Sequence, residues 1–493
     1  MANVVMVLYA LVLAGLGFFA IHRIKMLWLY ALAARRPARI PARWVGSLPS
    51  VCVQCPLYNE PLVVEALLEK VSALRWGGPL EIQILDDSTD STPDIIQRWL
   101  RDHPDAATYV KHIRRDKRVG YKAGALAYGM ELTSAEFFAI FDADFRPEPD
   151  FIEHLLAYFD NPKIGVVQAR WEFSNRRSSI LTRFQGIFLD AHFVIEQVAR
   201  SSAGYFFNFN GTAGIWRRAA LEDAGGWTPD TVTEDLDASY RAQRLGWRFV
   251  YLADYSVPSE LPENLTAFKS QQHRWTKGGI QVARKQLGQI FQSDLPGRIK
   301  REAFNHLTIG FVHPLLVAFS LLFVPYLYLM GHVHLRGMWI VVNPVLVLVT
   351  AGSTVVLYIS GQYFRQAQWR EGVIVLLTAP LLLAFGLAMS VTCCVAMLEG
   401  LLTKGGEFVR TPKGGRAVKS GGMLSSLRGR PLFATVIAIE LIIGLGMLFG
   451  ALYFGRHDMI AIAITLLVKA SGFLGLAALS THDLWPRGVP ARI

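Results

Sequence analysis

Phe137-Phe138-Ala139-Ile140-Phe141-Asp142-Ala143-Asp144 is a short apolar run that ends on two carboxylates. The same order recurs at Ile82-Gln83-Ile84-Leu85-Asp86-Asp87, where Ser88 follows. Further apolar runs at 50–55 and 164–169 have strand length, and helical periods fill 61–74 and 93–103 between them. Short apolar runs alternating with helical segments predict an α/β layered domain with a largely parallel sheet. Ligands of such sheets bind beyond the carboxyl ends of the strands. Both acid pairs fall at such ends.

Outside this block the composition changes. Apolar residues make up 52% of the 493 and charged residues only 18%, which is not the balance of a soluble protein. Residues 3–21 form an uncharged run of membrane-spanning length, and a signal peptide is disfavoured because no basic residue precedes it. Further hydrophobic segments lie at 308–330, 339–359, 371–402, 432–453 and 459–479. The formal charge of +11 raises the question of nucleic acid, but no binding motif for it is present. Many basic residues instead flank apolar segments, among them Arg23, Lys25, Arg35 and Arg36 after the first and Arg298, Lys300 and Arg301 before the second. That is the positive-inside pattern, and it predicts an N-terminus facing out and a cytoplasmic α/β block. The same rule places the basic loops 361–370 and 403–430 on one side. A single crossing by 371–402 forbids this, so Pro380 and Gly386 suggest a segment that enters, breaks and returns. Cys52 and Cys55 have a zinc-like spacing without a second ligand pair, and read as buried small residues of a strand.

Five polar stretches carry the chemistry. Asp142 and Asp144, at i and i+2 beyond a strand, suit a hard cation such as Mg²⁺ or Mn²⁺ that clamps a diphosphate. A solvated turn is the plain alternative. Asp86 and Asp87 suit the hydroxyls and base of a nucleoside, or else a turn or helix cap. Lys122, in the small-residue loop Gly120-Tyr121-Lys122-Ala123-Gly124, suits phosphate, or is a surface lysine. Thr233-Glu234-Asp235 supplies a candidate base for a sugar hydroxyl, or an acidic helix cap. Gln271-Gln272-His273-Arg274-Trp275 adds a fixed cation for a diphosphate and a ring to stack on a sugar, or is an interfacial Arg-Trp pair.

Taken in order with Gln54-Cys-Pro-Leu-Tyr-Asn-Glu60, Gln168-Ala-Arg-Trp171 and Phe209-Asn-Gly-Thr-Ala-Gly214, these stretches resemble the inverting, membrane-bound family-2 glycosyltransferases of the cellulose-synthase-like type. The wording is closer to the plant mannan and xyloglucan-backbone synthases than to cellulose synthase itself. The resemblance implies a GT-A-like nucleotide-sugar-binding domain inserted between transmembrane helices. It implies Asp86 or Asp87 on the nucleoside, Lys122 and Arg274 on the diphosphate, Asp142 and Asp144 on diphosphate and metal, and Asp235 as the catalytic base with Glu234 beside it in the catalytic pair. Gln271 and Trp275 are then acceptor-binding. Phe408-Val-Arg-Thr-Pro-Lys-Gly414 resembles the family's gating loop, with Val409 and Arg410 departing from its order, and makes Phe408, Thr411 and Lys413 gating residues.

The domain reading is then a transmembrane helix and basic linker (1–49), a cytoplasmic glycosyltransferase domain (50–295), interface and membrane or re-entrant segments (296–403), a gating-like loop (404–431) and a membrane hairpin with a short tail (432–493). The expected activity is polymerisation of a β-linked glucan or mannan from UDP-glucose or GDP-mannose, with translocation across a bacterial inner membrane. A single transfer to a membrane lipid, as in ceramide glucosyltransferases, is the alternative. Partners are the nucleotide-sugar, the growing glycan or lipid, and membrane lipids; neither nucleic acid nor a built-in cyclic-di-GMP-sensing domain is expected. A transporter would carry ionisable groups in its membrane segments. The segments after 308 carry few, His313 and Glu440 among them.

Overall fold

The computed structural model describes residues 2–35, 44, 47–332, 339–406 and 431–484. A long first helix, α1 (Ala2–Ala33), leads into the α/β domain. In chain order that domain contains β1 (Val51–Leu57), α2 (Val64–Ser72), β2 (Leu80–Asp86), α3 (Thr92–Asp102), β3 (Val110–Arg114), α4 (Tyr121–Glu131), β4 (Phe137–Ile140), α5 (Phe151–Leu156) and β5 (Ile164–Phe173). It continues with α6 (Ile180–Asp190), a π-helical turn (Ala191–Glu196), α7 (Gln197–Ser202), β6 (Gly214–Arg217), α8 (Arg218–Asp223), α9 (Glu234–Arg244) and β7 (Arg248–Ser259).

The strands form one sheet in the order β3-β2-β1-β4-β6-β5-β7. All run in one direction except β6, which is antiparallel to both β4 and β5. Helices cover both faces, so central strands bury both sets of side chains and read as continuous apolar runs. Cys55 of β1 joins the core under α2 and α5, whereas Cys52 joins the opposite one under α4. The two thiols therefore face opposite sides of the sheet and share no metal. The sequence reading passed over β3, β6 and β7. β3 is Val-Lys-His-Ile-Arg at the sheet edge and β6 is four residues long, too short or too charged to show a strand period.

After the sheet come α10 (Leu265–Gln292), α11 (Gly297–Leu307), α12 (Val312–His332), α13 (Trp339–Gln366), α14 (Trp369–Leu402), α15 (Pro431–Arg456) and α16 (Ile460–Leu484). Among the described residues six helices, α1 and α12 to α16, are long and apolar enough to cross a membrane. They share a core in which Tyr9 and Leu13 of α1 pack with Phe319 and Tyr326 of α12, Met447 of α15 and Phe473 of α16.

Two expectations are corrected here. The segment 371–402 does not break and return, because α14 is one continuous helix that contains Pro380. An internal proline removes one N–H and bends a helix more readily than it ends it. No break is needed to bring its ends to one side. Glu371 at the start pairs with Arg177 (3.2 Å) and Arg183 (3.8 Å), and Glu399 near the end pairs with His273 (3.5 Å) and Lys277 (3.3 Å). In between, Val375 and Leu382 pack on Phe184 and Ile187 of α6. The helix, about 51 Å long at 1.5 Å per residue, thus lies along the α/β domain. The second correction concerns Arg23 and Lys25, read as flanking the apolar run 3–21. α1 continues past residue 21 and carries them into the protein. Lys25 and His22 bond the buried Glu302 of α11 at 2.7 and 2.9 Å, and Arg23 donates to Ser353 of α13. Burial alone would raise the Glu302 carboxyl, but its bond to His22, the charge of Arg200 and its bond to Lys25 hold it down at about 2.

Candidate active site

β1, β2 and β4 are parallel, so their carboxyl ends open on one edge of the sheet. There a cleft of about 1210 Å³ opens to solvent. Asp87, Lys122, Asp142, Asp144, Glu234, Asp235, Gln271, Arg274 and Trp275 all line it. Residues separated by up to 188 positions in the chain therefore meet at one place. Of the sequence-derived candidates within the described residues, only Asp86 does not reach the cleft. Phe408, Thr411 and Lys413 lie outside the described residues.

Asp86 is 1% exposed. Its Oδ1 accepts from the Ser88 N–H (2.9 Å) and its Oδ2 bonds the His112 ring (2.9 Å). Burial pushes its carboxyl up, but the bonds from His112 and Ser88 outweigh this and keep its pKa below the ordinary value. It shapes the turn after β2. Asp87, the next residue, turns into the cleft and is gripped by Arg115 through Nε (3.0 Å) and Nη2 (2.5 Å). A forked guanidinium fixes the plane of a carboxylate, so Asp87 is presented in one orientation.

Asp142 follows β4, and its N–H donates to Thr212 Oγ1 (2.9 Å). Lys122, at the start of α4, donates to Asp142 Oδ1 (2.5 Å) and to the Gly211 carbonyl (2.9 Å). Burial opposes its charge, but Asp142, Glu234 and Asp235 together raise its pKa and keep it an ammonium. Asp144 is held by Ser259 at the end of β7, whose Oγ donates to Oδ2 at 2.6 Å. The turn that carries both acids is thus fastened from two sides.

Glu234 and Asp235 open α9. A helix N-terminus favours ionised acids, and the Leu236 N–H donates to Asp235 Oδ1 (2.8 Å). Burial wins nonetheless. With the Glu234 charge beside it, burial pushes the Asp235 carboxyl up to about 7, against the opposing pull of Lys122 and Arg274. A carboxylate with that pKa is suited to take and give a proton near neutral pH. The segment before it is wedged against α10, where a Cβ on Gly278 would stand 2.4 Å from Thr233.

Gly211 decides how closely the backbone approaches this acid. Its φ is +82°, and an added Cβ would lie 2.8 Å from Asp235 Oδ2 and 3.4 Å from Lys122 Nζ. Gly211→Ala should therefore displace the carboxylate and strain the turn. The expected result is a fall in turnover of about tenfold or more with nucleotide affinity nearly unchanged, read by steady-state kinetics and a nucleotide-binding titration.

Several cleft residues were given no role by sequence reading. Tyr58, Glu60, Trp171 and Asn210 lay inside quoted motifs, whereas Arg118 and Glu260 did not. The Arg118 guanidinium lies 3.4 Å over the Tyr58 ring. The charged run 114–118 that supplies Arg115 and Arg118 was the available signal.

Residues 137–397 match the model of glycosyl transferase family group 2, and residues 52–221 match that of glycosyl transferase family 2. The first match spans more than half of the chain. The protein belongs to glycosyl transferase family group 2. It is 45% identical over 254 residues to a probable glucomannan 4-beta-mannosyltransferase 4 of Oryza sativa subsp. japonica, covering 50% of this chain and 46% of that protein. It is 39% identical over 309 residues to glucomannan 4-beta-mannosyltransferase 7 of Arabidopsis thaliana, covering 59% and 55%. The chain spans about half the length of the curated relatives it matches. Among solved structures it is similar to the mannosyltransferase PcManGT from Pyrobaculum calidifontis in complex with GDP-Man and Mn²⁺, with a TM-score of 0.53 and 21% identity, covering 76% of this chain and 98% of that one. That likeness shows the fold, the GT-A-like arrangement expected from the motifs.

Proposed function

We propose that the chain is an inverting glycosyltransferase that lengthens a β-linked mannan or glucomannan from GDP-mannose and passes the product through its own membrane helices. The observation that carries this reading is Asp235, a part-buried carboxyl pushed up to about 7 in the same cleft as Asp142, Asp144 and Lys122. The names of the relatives favour mannose over glucose as the sugar. Those relatives are plant proteins, so a bacterial inner membrane draws no support from them. We place the α/β domain on the cytosolic face, where nucleotide-sugars are made.

In this reading Asp87, held by Arg115, accepts from the nucleoside. Lys122 and Arg274 face the diphosphate. A Mg²⁺ or Mn²⁺ ion fits the acids present. Asp142 and Asp144 both wall the cleft, and among the described residues no third His, Cys, Asp or Glu gathers with them, which leaves the rest of the shell to phosphate oxygens, as Mg²⁺ prefers. Bound there, the ion supplies charge neutralisation for the departing diphosphate. Gln271 and Trp275 hold the acceptor sugar, Trp275 by stacking. Asp235 Oδ2 takes the proton of the acceptor hydroxyl as its oxygen bonds the anomeric carbon and the bond to the diphosphate breaks. Attack from the face opposite the leaving group inverts the configuration.

The start of the 404–419 loop is tied to the cleft. The Gly405 N–H donates to the Asp230 carbonyl (2.8 Å), and Gln281 donates to the Gly405 carbonyl (2.8 Å) while bonding Val232. This anchoring supports Phe408, Thr411 and Lys413 as part of a lid that excludes water during transfer. Their triple alanine variant should lose about tenfold in turnover, about 1.4 kcal/mol of barrier, with membrane insertion unchanged. The reading as a whole is tested by incubating membranes that contain the protein with labelled GDP-mannose or UDP-glucose and sizing the product. A mannose polymer is expected. A polymer made only from UDP-glucose overturns the donor, and a lipid carrying one sugar overturns the polymerase.

A further inference from the structure

Glu440 was one of the few charges the sequence places inside a hydrophobic segment, and the cleft makes no use of it. In α15 it is fully buried, at 0% exposure. Its carboxylate receives Lys269 of α10, with Nζ at 2.7 Å from Oε1 and 2.9 Å from Oε2. The same ammonium donates to Ser480 of α16 at 2.8 Å. An ammonium has three donors, and here each has an acceptor. Lys269 is itself 2% exposed. One turn away on the chain, Thr266 donates to Asp483 of α16 through its N–H (3.3 Å) and its hydroxyl (3.2 Å).

A buried ion pair is a poor way to hold helices together. The desolvation of both groups cancels much of their attraction, and apolar residues of the same size do as well or better. What a fully satisfied pair does supply is selectivity, since it is matched in one rotation and one register only. α10 is the element whose rotation matters here. At 100° per residue, Gln271, Arg274 and Trp275 lie about 140° to 240° around its axis from Lys269. One face of α10 therefore meets the membrane helices through Lys269, while the opposite face enters the cleft. Gln271 is 8% exposed, and its Oε1 accepts no hydrogen bond within the protein. A rotation of about 20° would move a side-chain tip 5–6 Å from the axis by about 2 Å. Misplacement of about 1 Å is enough to cost up to about 10²-fold in rate.

We propose that the Lys269–Glu440–Ser480 contact is a positioning device: the α15–α16 hairpin sets the rotation of α10, and with it the placement of Gln271 and Trp275 against the acceptor sugar. This rests on the acceptor role given to those two residues above. The contact joins the membrane helices to the end of the cleft that the growing chain occupies, while the donor end is fastened on β2, β4 and α4, with Arg274 its one contact from α10.

The test separates transfer from hydrolysis. Purified full-length protein is given GDP-mannose, with or without a short β-1,4-manno-oligosaccharide, and mannose transfer and release into water are both measured. In Glu440→Gln the ratio of transfer to hydrolysis should fall about tenfold or more through a higher acceptor KM or lower transfer rate, since transfer needs Gln271 and Trp275 while Arg274 serves both reactions. The reversed pair, Lys269→Glu with Glu440→Lys, should recover at least about a third of the wild-type ratio. Ser480→Ala keeps the ion pair and should lower the ratio about threefold. An unchanged ratio in Glu440→Gln, or hydrolysis and transfer falling together, overturns the proposal. Should Glu440→Gln fail to accumulate in membranes, Ser480→Ala decides alone, and an unchanged ratio there overturns it. Wild-type protein inert toward GDP-mannose counts against the proposed donor, not against the contact. The same ratios are then read with UDP-glucose and a cello-oligosaccharide.

Discussion

Asp235→Asn should lower sugar transfer by about 10²-fold or more while leaving nucleotide affinity nearly intact. One positioned carboxylate contributes about 10²- to 10⁴-fold as a general base. Asparagine keeps the shape and the acceptance from the Leu236 N–H but cannot take a proton. The donor end of the cleft is built on Asp87 and on the Lys122–Asp142 pair, and with Asp235 neutralised Lys122 still has Asp142 and Glu234 beside it. The pH profile of the wild type carries a second, independent sign. Burial and Glu234 push the Asp235 pKa up to about 7, and the base form is the deprotonated one. Transfer should therefore rise with pH through about 7 and be lost as pH falls below it. A normal carboxylate would hold its activity down to about pH 4. Retention of more than half the activity in Asp235→Asn, or a flat profile between pH 5 and 8, removes Asp235 from the role.

Asp144→Ala and excess chelator should each abolish activity, by about 10²-fold or more. The leaving diphosphate accumulates negative charge as its bond to the sugar breaks, and several kcal/mol of barrier depend on neutralising it, each 1.4 kcal/mol being tenfold in rate. Asp144 has little freedom to be replaced, because Ser259 fastens its Oδ2 at 2.6 Å and the turn is fixed to Thr212 on its other side. Adding Mg²⁺ or Mn²⁺ back should restore the chelated wild type and leave the variant inactive. Full activity in chelator would reduce Asp142 and Asp144 to a turn. A variant restored by the metal would leave Asp142 as the only acid that matters.

Much of this was legible in the chain because it is local. An apolar run followed by acids marks a strand end, as it does twice here, and four apolar runs separated by helical periods imply a parallel sheet whose strand ends face one way. Hydrophobic segments of about twenty residues announce themselves by length alone. The acid pairs, the Thr-Glu-Asp step and the Gln-Gln-His-Arg-Trp stretch could be named as candidates for the same reason: each is a few residues in a row.

What sequence could not decide depends on contacts between distant residues. Asp86 and Asp87 are neighbours with the same side chain, and both faces of β2 are covered, so no pattern says which one reaches the cleft. That was settled by His112 and Ser88 filling the bonds of Asp86 and by Arg115 gripping Asp87. The pKa of Asp235 is raised by burial beneath Gly211 and α10, and burial is a property of packing. The route of α14 was misread because charge counting fixes the side on which loops lie, not the path between them. Ion pairs at Glu371 and Glu399 with residues about two hundred and about a hundred and twenty positions earlier laid that helix along the domain. The sequence by itself determined that acid pairs at strand ends stand between segments long enough to span a membrane, since strand periods, acid pairs and apolar lengths are written within a few residues of one another. Only the tertiary structure decided which carboxylate faces the cleft, which has its pKa raised toward neutral, and what holds α10 in place, because each of these rests on a partner that the chain reaches only by folding.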